Sequence, residues 1–320
     1  MLSSLKLRLV LLLIPLIALT TGAFVVLTYL ASESSRDAAI LKTATTTGAY
    51  ANQFDDRLQS IAEIAEGAAS AVATLRSISE EDIYRLLRNN LFKDPMIYGS
   101  AAGFAPGAFE DRARFSPYVY RTRQSIEQID IGTQGYDYTD ASNGQSEWFV
   151  TPSRTLRPLW TAPYFDEGAG NVYMVTYSVP MLHDGAFIGV LTVDIELTQL
   201  RDGFSGSENS GLIDFFVMTP DEQFVFNPLH KEAMGTTTLK GTLEETQQSN
   251  RIEDIRALIR GEHPTVASRF FSSVEDDWLF ASKLQSNGWI YLAEFDHAAV
   301  MADSEEVRLA GVAAVALVLL

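Results

Sequence analysis

A chain of 320 residues that is 47% apolar and 20% charged, with 18 Phe, 12 Tyr and 4 Trp, exceeds one ordinary domain and is too rich in core-forming residues to be disordered. Its formal charge of −17 argues against nucleic acid as a partner, because that binding rests on Lys and Arg neutralising phosphates. With no cysteine, the chain has no thiol nucleophile, disulfide or cysteine-ligated metal centre, and its four dispersed histidines (His183, His230, His263, His297) form no local metal site, so neither metal nor cofactor is expected.

The first element is an uncharged run from Leu9 to Leu30, LVLLLIPLIALTTGAFVVLTYL, long enough for a membrane-spanning helix of about 20 residues. Lys6 and Arg8 precede it, and Glu33 and Asp37 follow, which puts residues 1–8 in the cytoplasm and the chain after residue 30 outside. A cleaved signal peptide has a shorter apolar region, so the run reads as an uncleaved anchor. At the other end, Leu309 to Leu320 supplies about half a spanning helix, so 308–320 reads as the start of a second, truncated span. Residues 31–307 would then face the periplasm or exterior of an inner-membrane protein. That segment is more acidic than the whole, since Lys6, Arg8 and Arg308 lie outside it. Its field enriches cations within about 10 Å in physiological salt.

Residues 31–95 read as helical. Between Ser32 and Ser77, Phe54, Leu58, Ile61, Ala65, Ala68, Val72 and Leu75 alternate in steps of four and three, a heptad seam that fits a stalk helix or packing against its own domain. Ser79 followed by Glu80, Glu81 and Asp82 is an N-cap with acids in the first turn of a second helix, which ends near Asp94-Pro95. From Ile97 the pattern is β, with strands over Ile97–Ala105, Ser116–Thr122, Val172–Leu182 and Phe187–Leu197. The turn signal at His183-Asp184-Gly185 joins the last two into a central hairpin. The Gly/Ser/Asn segment Arg201–Gly211 is the best internal boundary, giving modules at 96–205 and 206–307. In the second module, strands are expected at Leu212–Met218 and Gln223–Phe226. A helix over Leu243–Ile259 follows, then strands at Arg269–Ser273, Trp278–Leu284 and Trp289–Phe295. A helix from Asp296 to Arg308 closes the module. The fold class is α+β: a long N-terminal helix and two antiparallel-sheet modules between membrane helices.

This order resembles the double Cache family, the PAS-like extracytoplasmic sensor regions of bacterial receptors. Trp160–Tyr164 (WTAPY), Tyr164–Gly170 (YFDEGAG), Met174–Pro180 (MVTYSVP) and Gly189–Ile195 (GVLTVDI) carry the likeness to the membrane-distal module. Pro220–Pro228 (PDEQFVFNP) and Asn287–Leu292 (NGWIYL) resemble the membrane-proximal one. In amino-acid-sensing members an Arg two residues before a Trp holds the ligand carboxylate, aromatic residues line the cavity, and an Asp on a late strand takes the ammonium. The resemblance places Trp148, Phe149, Tyr164 and Asp194 at those positions, with Ser146 where the Arg would stand. The family's carboxylate contact is therefore missing, unless Arg154 or Arg157 reaches back.

The residues point the same way without the family. An Asp ending an apolar strand faces desolvation unless a cation pairs with it, and aromatic faces attract ammonium groups. Trp148, Tyr164, Tyr177 and Asp194 could form an aromatic cage with one acidic wall, with Tyr136, Tyr138 and Asp140 at its rim; the alternative is that these aromatics are core and Asp194 bonds locally. Catalysis is not expected: the acidic pairs Asp166-Glu167, Asp276-Asp277 and Glu305-Glu306 read as solvated charges, and no nucleophile elbow, phosphate loop or zinc motif occurs. The sequence thus predicts the sensor region of a bacterial transmembrane receptor, acting as a homodimer, with an amine or amino acid as ligand in the distal module. Its alternative is a membrane-tethered interaction module that senses through a partner protein.

Overall fold

The computed structural model describes residues 2–74, 78–167, 170–204, 211–227, 235–268 and 277–319. Helix α1 (Leu2–Thr74) is unbroken for 73 residues, through Pro15, which at 1.5 Å per residue is roughly 110 Å. It contains the one stretch among the described residues that is long and apolar enough to cross a membrane. Most side chains from Leu11 to Leu30 are exposed. Beyond them the heptad seam turns inward. Phe54, Leu58, Ile61 and Ala65 are fully buried, with Ala68 and Val72 nearly so, in a core shared with both sheets. The seam therefore belongs to this chain's own core; Leu75 lies outside the described residues.

Helix α2 (Glu80–Lys93) starts where expected, with the Ser79 hydroxyl accepting from the Asp82 amide. The first sheet comprises β1 (Gly99–Phe104), β2 (Pro117–Arg121), β3 (Ile126–Asp130), β4 (Leu159–Trp160), β5 (Tyr164–Phe165), β6 (Tyr173–His183) and β7 (Ala186–Glu196). Its order is β3-β2-β1-β7-β6-β4, with β5 also on β6, and every pairing is antiparallel. Asp184 and Gly185 both have positive φ (50° and 82°), the pair required by the tight turn that closes the β6–β7 hairpin. Helix α3 (Glu147–Thr155), which the sequence reading missed, covers one face of this sheet, while α1 covers the other. Helix α4 (Leu197–Asp202) leads out of β7.

The second sheet has β8 (Leu212–Met218), β9 (Phe224–Phe226), β10 (Val266–Ser268), β11 (Asp277–Lys283) and β12 (Ile290–Phe295) in the order β10-β11-β12-β8-β9. The expected strand Arg269–Ser273 lies outside the described residues, as does Asp276. The single helix expected over Leu243–Ile259 is instead two, α5 (Leu239–Glu245) and α6 (Ile252–Ile259). Thr246, Gln247, Gln248, Ser249, Asn250 and Arg251 separate them, with Gln247 at φ 58° and the Gln248 amide reaching back to the Leu243 carbonyl at 2.7 Å. Thr, Ser and Asn compete for backbone hydrogen bonds and favour such a break. Helix α7 (His297–Leu319) follows β12 with only Asp296 between them and packs along α1.

The second module is also tied to α1 through a polar contact. Asp55, 8% exposed, accepts from the Gln285 and Ser286 amides at 2.8 and 3.1 Å and from the Ser286 hydroxyl. Asp55→Ala is expected to leave those donors unpaired and destabilise the chain by about 2 kcal/mol, read from denaturant unfolding.

Candidate functional site

The hairpin gives the first sheet two different faces. On β7, Leu191, Val193 and Ile195 point towards α1, whereas Val190, Thr192 and Asp194 point away. On β6, Val175, Tyr177 and Val179 share the α1 face, and Met174 and Thr176 share the other. Thr176 stands directly opposite Asp194 in the ladder. The face turned away from α1 is covered by α3, the segment from Ile131 to Gln145, and Asp166 and Glu167 after β5, which leaves a cavity of about 120 Å³. A water needs roughly 10–15 Å³ of such space, so there is room for a small molecule.

Asp194 forms its floor. The side chain is 4% exposed, and the Thr176 hydroxyl donates to it at 2.8 Å. Because that hydroxyl has a single proton, the Tyr164 hydroxyl, 2.8 Å from Thr176 Oγ1, is the donor in the next link. Burial pushes the Asp194 carboxyl up to about 7, and the Asp166 carboxylate adds to the rise, against hydrogen bonds from Thr176, Tyr118 and Thr192. Burial and the two aspartates likewise push the Tyr118 and Tyr164 phenols up, so both hydroxyls remain protonated donors.

Aromatic rings make the walls. Trp148 on α3 donates Nε1–H to the Tyr136 hydroxyl at 3.1 Å, and that hydroxyl donates to the Gln145 carbonyl at 2.7 Å. Gly103 lies under Trp148: a Cβ there would sit 2.8 Å from the indole ring. Asp166 occupies the opposite wall, half-buried, with its carboxyl raised by burial and held by the Gly170 amide at 2.8 Å. Glu167 stands exposed beside it. Among the described residues the lining thus carries three carboxylates and no Lys, Arg or His. Arg154 and Arg157 are exposed and not part of it, and Ser146 is buried with its hydroxyl on Tyr136 and the Asp137 carbonyl.

Of the residues singled out from the sequence, the structure brings Trp148, Tyr164 and Asp194 together on this cavity, with Tyr136 beside them. The others lie elsewhere. Phe149 is buried beside Tyr138 and Phe187, with ring centroids at 4.8 and 5.8 Å. Tyr138 is fully buried, its hydroxyl donating to the Phe104 carbonyl and accepting from the Phe115 amide. Tyr177 faces α1 and donates to Glu66 at 2.7 Å. Asp140 is exposed and accepts from the Ser142 amide and hydroxyl, closing a local turn. Asp166 goes the other way: its Gly-rich setting suggested a solvated loop, and the cavity half-buries it. Tyr118 and Thr176 carried no signal beyond their strands.

A paired-sheet α+β chain with a small, partly enclosed cavity on one face of its first sheet, behind a long apolar helix, has a fold of the Cache (PDC) type. Residues 83–202 match the family described as methyl-accepting chemotaxis protein-like, first PDC sensor domain. The chain is 27% identical over 142 residues to the methyl-accepting chemotaxis protein TlpQ of Pseudomonas aeruginosa, a match covering 38% of this chain and 20% of that receptor. Its fold is similar to the extracellular domain of mmHK1S-Z3, assigned as a histidine kinase (TM-score 0.69, 19% identity, 84% of this chain and 98% of that one). It is also similar to the ligand-binding domain of the Pseudomonas fluorescens chemoreceptor CtaA in complex with L-serine (TM-score 0.60, 15% identity, 82% and 98%).

Proposed function

We propose that the chain is the ligand-binding sensor region of a bacterial transmembrane receptor, with residues 31–307 outside the inner membrane, residues 1–8 in the cytoplasm, and a homodimer as the working unit. In this reading residues 96–205 form the membrane-distal ligand module and 206–307 the proximal one. The ligand is a small organic ammonium compound without a carboxylate. One observation carries this reading: a buried Asp194 and a half-buried Asp166 share a cavity to whose wall no cationic side chain among the described residues contributes. A buried carboxylate without a counter-charge is costly, and an ammonium guest removes that cost. Trp148 and Tyr164 add cation–π attraction of roughly 0.5–2 kcal/mol. A ligand carboxylate would meet Asp166 or Glu167 instead of an Arg, so amino acids such as the L-serine held by CtaA fit less well. A second ammonium group would find Asp166 as Asp194 holds the first, which favours a short diamine. An aromatic-lined cavity with Asp194 on it weighs against a chain that senses only through a partner protein.

Thermal unfolding of the 320-residue chain in nanodiscs against n-butylamine, 1,4-diaminobutane, 4-aminobutyrate and L-serine tests the reading. A ligand at one hundred times its Kd adds about 2.7 kcal/mol, a shift of a few degrees. The expected order is diamine, then monoamine, with little response to the two amino acids. A response to the amino acids alone would overturn the ammonium reading.

A further inference from the structure

The wall of the cavity that carries Tyr164 and Asp166 is anchored outside the first module. The segment from Leu159 to Phe165 is short: β4 pairs only Leu159 and Trp160 with β6, and β5 only Tyr164 and Phe165. Its outer side rests on the second module at two points. The Pro163 carbonyl accepts from Gln223 Nε2 at 3.3 Å, and the same amide group donates to the Gly235 carbonyl at 2.5 Å. Gly235, at φ 78°, is bound to stay glycine, since a Cβ would lie 2.7 Å from Pro163. At the second point the Trp160 ring, 5.0 Å from Tyr177, also lies 6.1 Å from Trp289.

Trp289 is 3% exposed and immediately precedes β12, the strand that leads through Asp296 into α7. The turn before it, Gln285-Ser286, is the one held by Asp55 of α1. The same short segment therefore faces the cavity with Tyr164, the root of β12 with Trp160, and the start of β9 with Pro163.

We infer that Gln223 and Trp289 of the second module are positioning residues for the ligand cavity of the first, so that occupancy of the cavity and the seating of β12 bias one another. The inference rests on the cavity being the ligand site. Its energetics follow linkage: if the seating of β12 alters the Tyr164–Asp166 wall, a ligand touching that wall alters the seating of β12 to the same degree. The coupling needs no movement of the hairpin, whose eleven-residue strands are paired along their length apart from one bulge.

The four tryptophans make the test direct, because Trp148 lies on the cavity and Trp289 lies outside it. The 320-residue chain in nanodiscs is labelled with 5-fluorotryptophan, and the resonances are assigned by Trp→Phe variants. Saturating 1,4-diaminobutane is expected to shift both Trp148 and Trp289. Gln223→Ala should preserve the Trp148 response, remove most of that at Trp289, and weaken the probe's Kd about five-fold or more. A purely structural role for Gln223 would lower stability without separating the two responses. If Trp148 responds and Trp289 does not, the inference is overturned while the ligand reading stands. If the probe leaves Trp148 unmoved, the ligand reading fails for amines, and Tyr164→Phe in the empty chain decides the coupling instead. It should shift Trp289 in the Gln223 background and not in Gln223→Ala; an unmoved Trp289 overturns the inference.

Discussion

Asp194→Asn is expected to abolish amine binding while making the empty chain more stable. Truncating one partner of a buried charge pair costs 2–5 kcal/mol in comparable interfaces, which is roughly 30-fold to several thousand-fold in Kd. The opposite sign for stability comes from the same burial. The Asp194 carboxyl is raised from the ordinary aspartate value of 3.8 to about 7, so the folded chain holds a proton that the unfolded chain has released. Its contribution is complete below pH 4 and is lost as pH rises to 7, a difference of up to about 4 kcal/mol. Asparagine can accept the Thr176 hydroxyl bond and carries no charge to desolvate, so between pH 4 and 8 the variant's midpoint falls less than the wild type's. Calorimetry of both proteins across that range, with and without amine, checks both halves. An amine affinity unchanged by the substitution would remove Asp194 from the site.

Amine binding should itself depend on pH, in the direction opposite to ordinary acid-stable binding. An ammonium ligand requires ionised Asp194, so below pH 7 binding must first expel a proton. Affinity is expected to fall about ten-fold per unit from pH 7 to pH 5 and to level off above pH 8. The groups around Asp194 leave this sign intact: Tyr118 and Tyr164 stay protonated throughout, and Asp166, also raised by burial, titrates in the same sense and steepens the fall. Titration calorimetry in two buffers of different ionisation enthalpy would count the proton released. Equal affinities at pH 5 and pH 8 would mean that the ligand's charge is not met by Asp194.

Much of this architecture was legible because it is written in local patterns. The capped start of α2, the Asp184-Gly185 turn and the apolar runs of β6 and β7 each follow from a few adjacent residues. So did Asp194 and Trp148, a carboxylate closing an apolar strand and an indole near a loop. Tyr177 shows where that reading stops. An unbulged hairpin closed at Asp184-Gly185 puts residue 175 opposite Asp194 and turns Tyr177 towards the same side. The ladder instead shifts by one between Met181 and Leu182, leaving Ile188 as the extra residue, so Thr176 faces Asp194 and Tyr177 faces α1. One inserted residue reverses every side chain beyond it. Gly189, where a Cβ would run into the Gly103 carbonyl, marks the place, but nothing local distinguishes it from a glycine in a plain strand. Asp166 was hidden for the reverse reason: the fold sets it near Tyr98, Tyr118 and Tyr136, residues distant in the chain whose phenols its charge reaches.

The two helices that leave the folded region do so on different terms. Helix α1 is part of the core for six turns, whereas α7 hangs from β12 by the single residue Asp296. No flexible connector lies between sheet and helix to absorb a change of phase, and each residue added or removed there would turn α7 by about 100° relative to the sheet. A graft of this sensor onto a foreign signalling domain must therefore conserve helical phase after Phe295, and chimaeras differing by single residues at that joint should behave as different receptors.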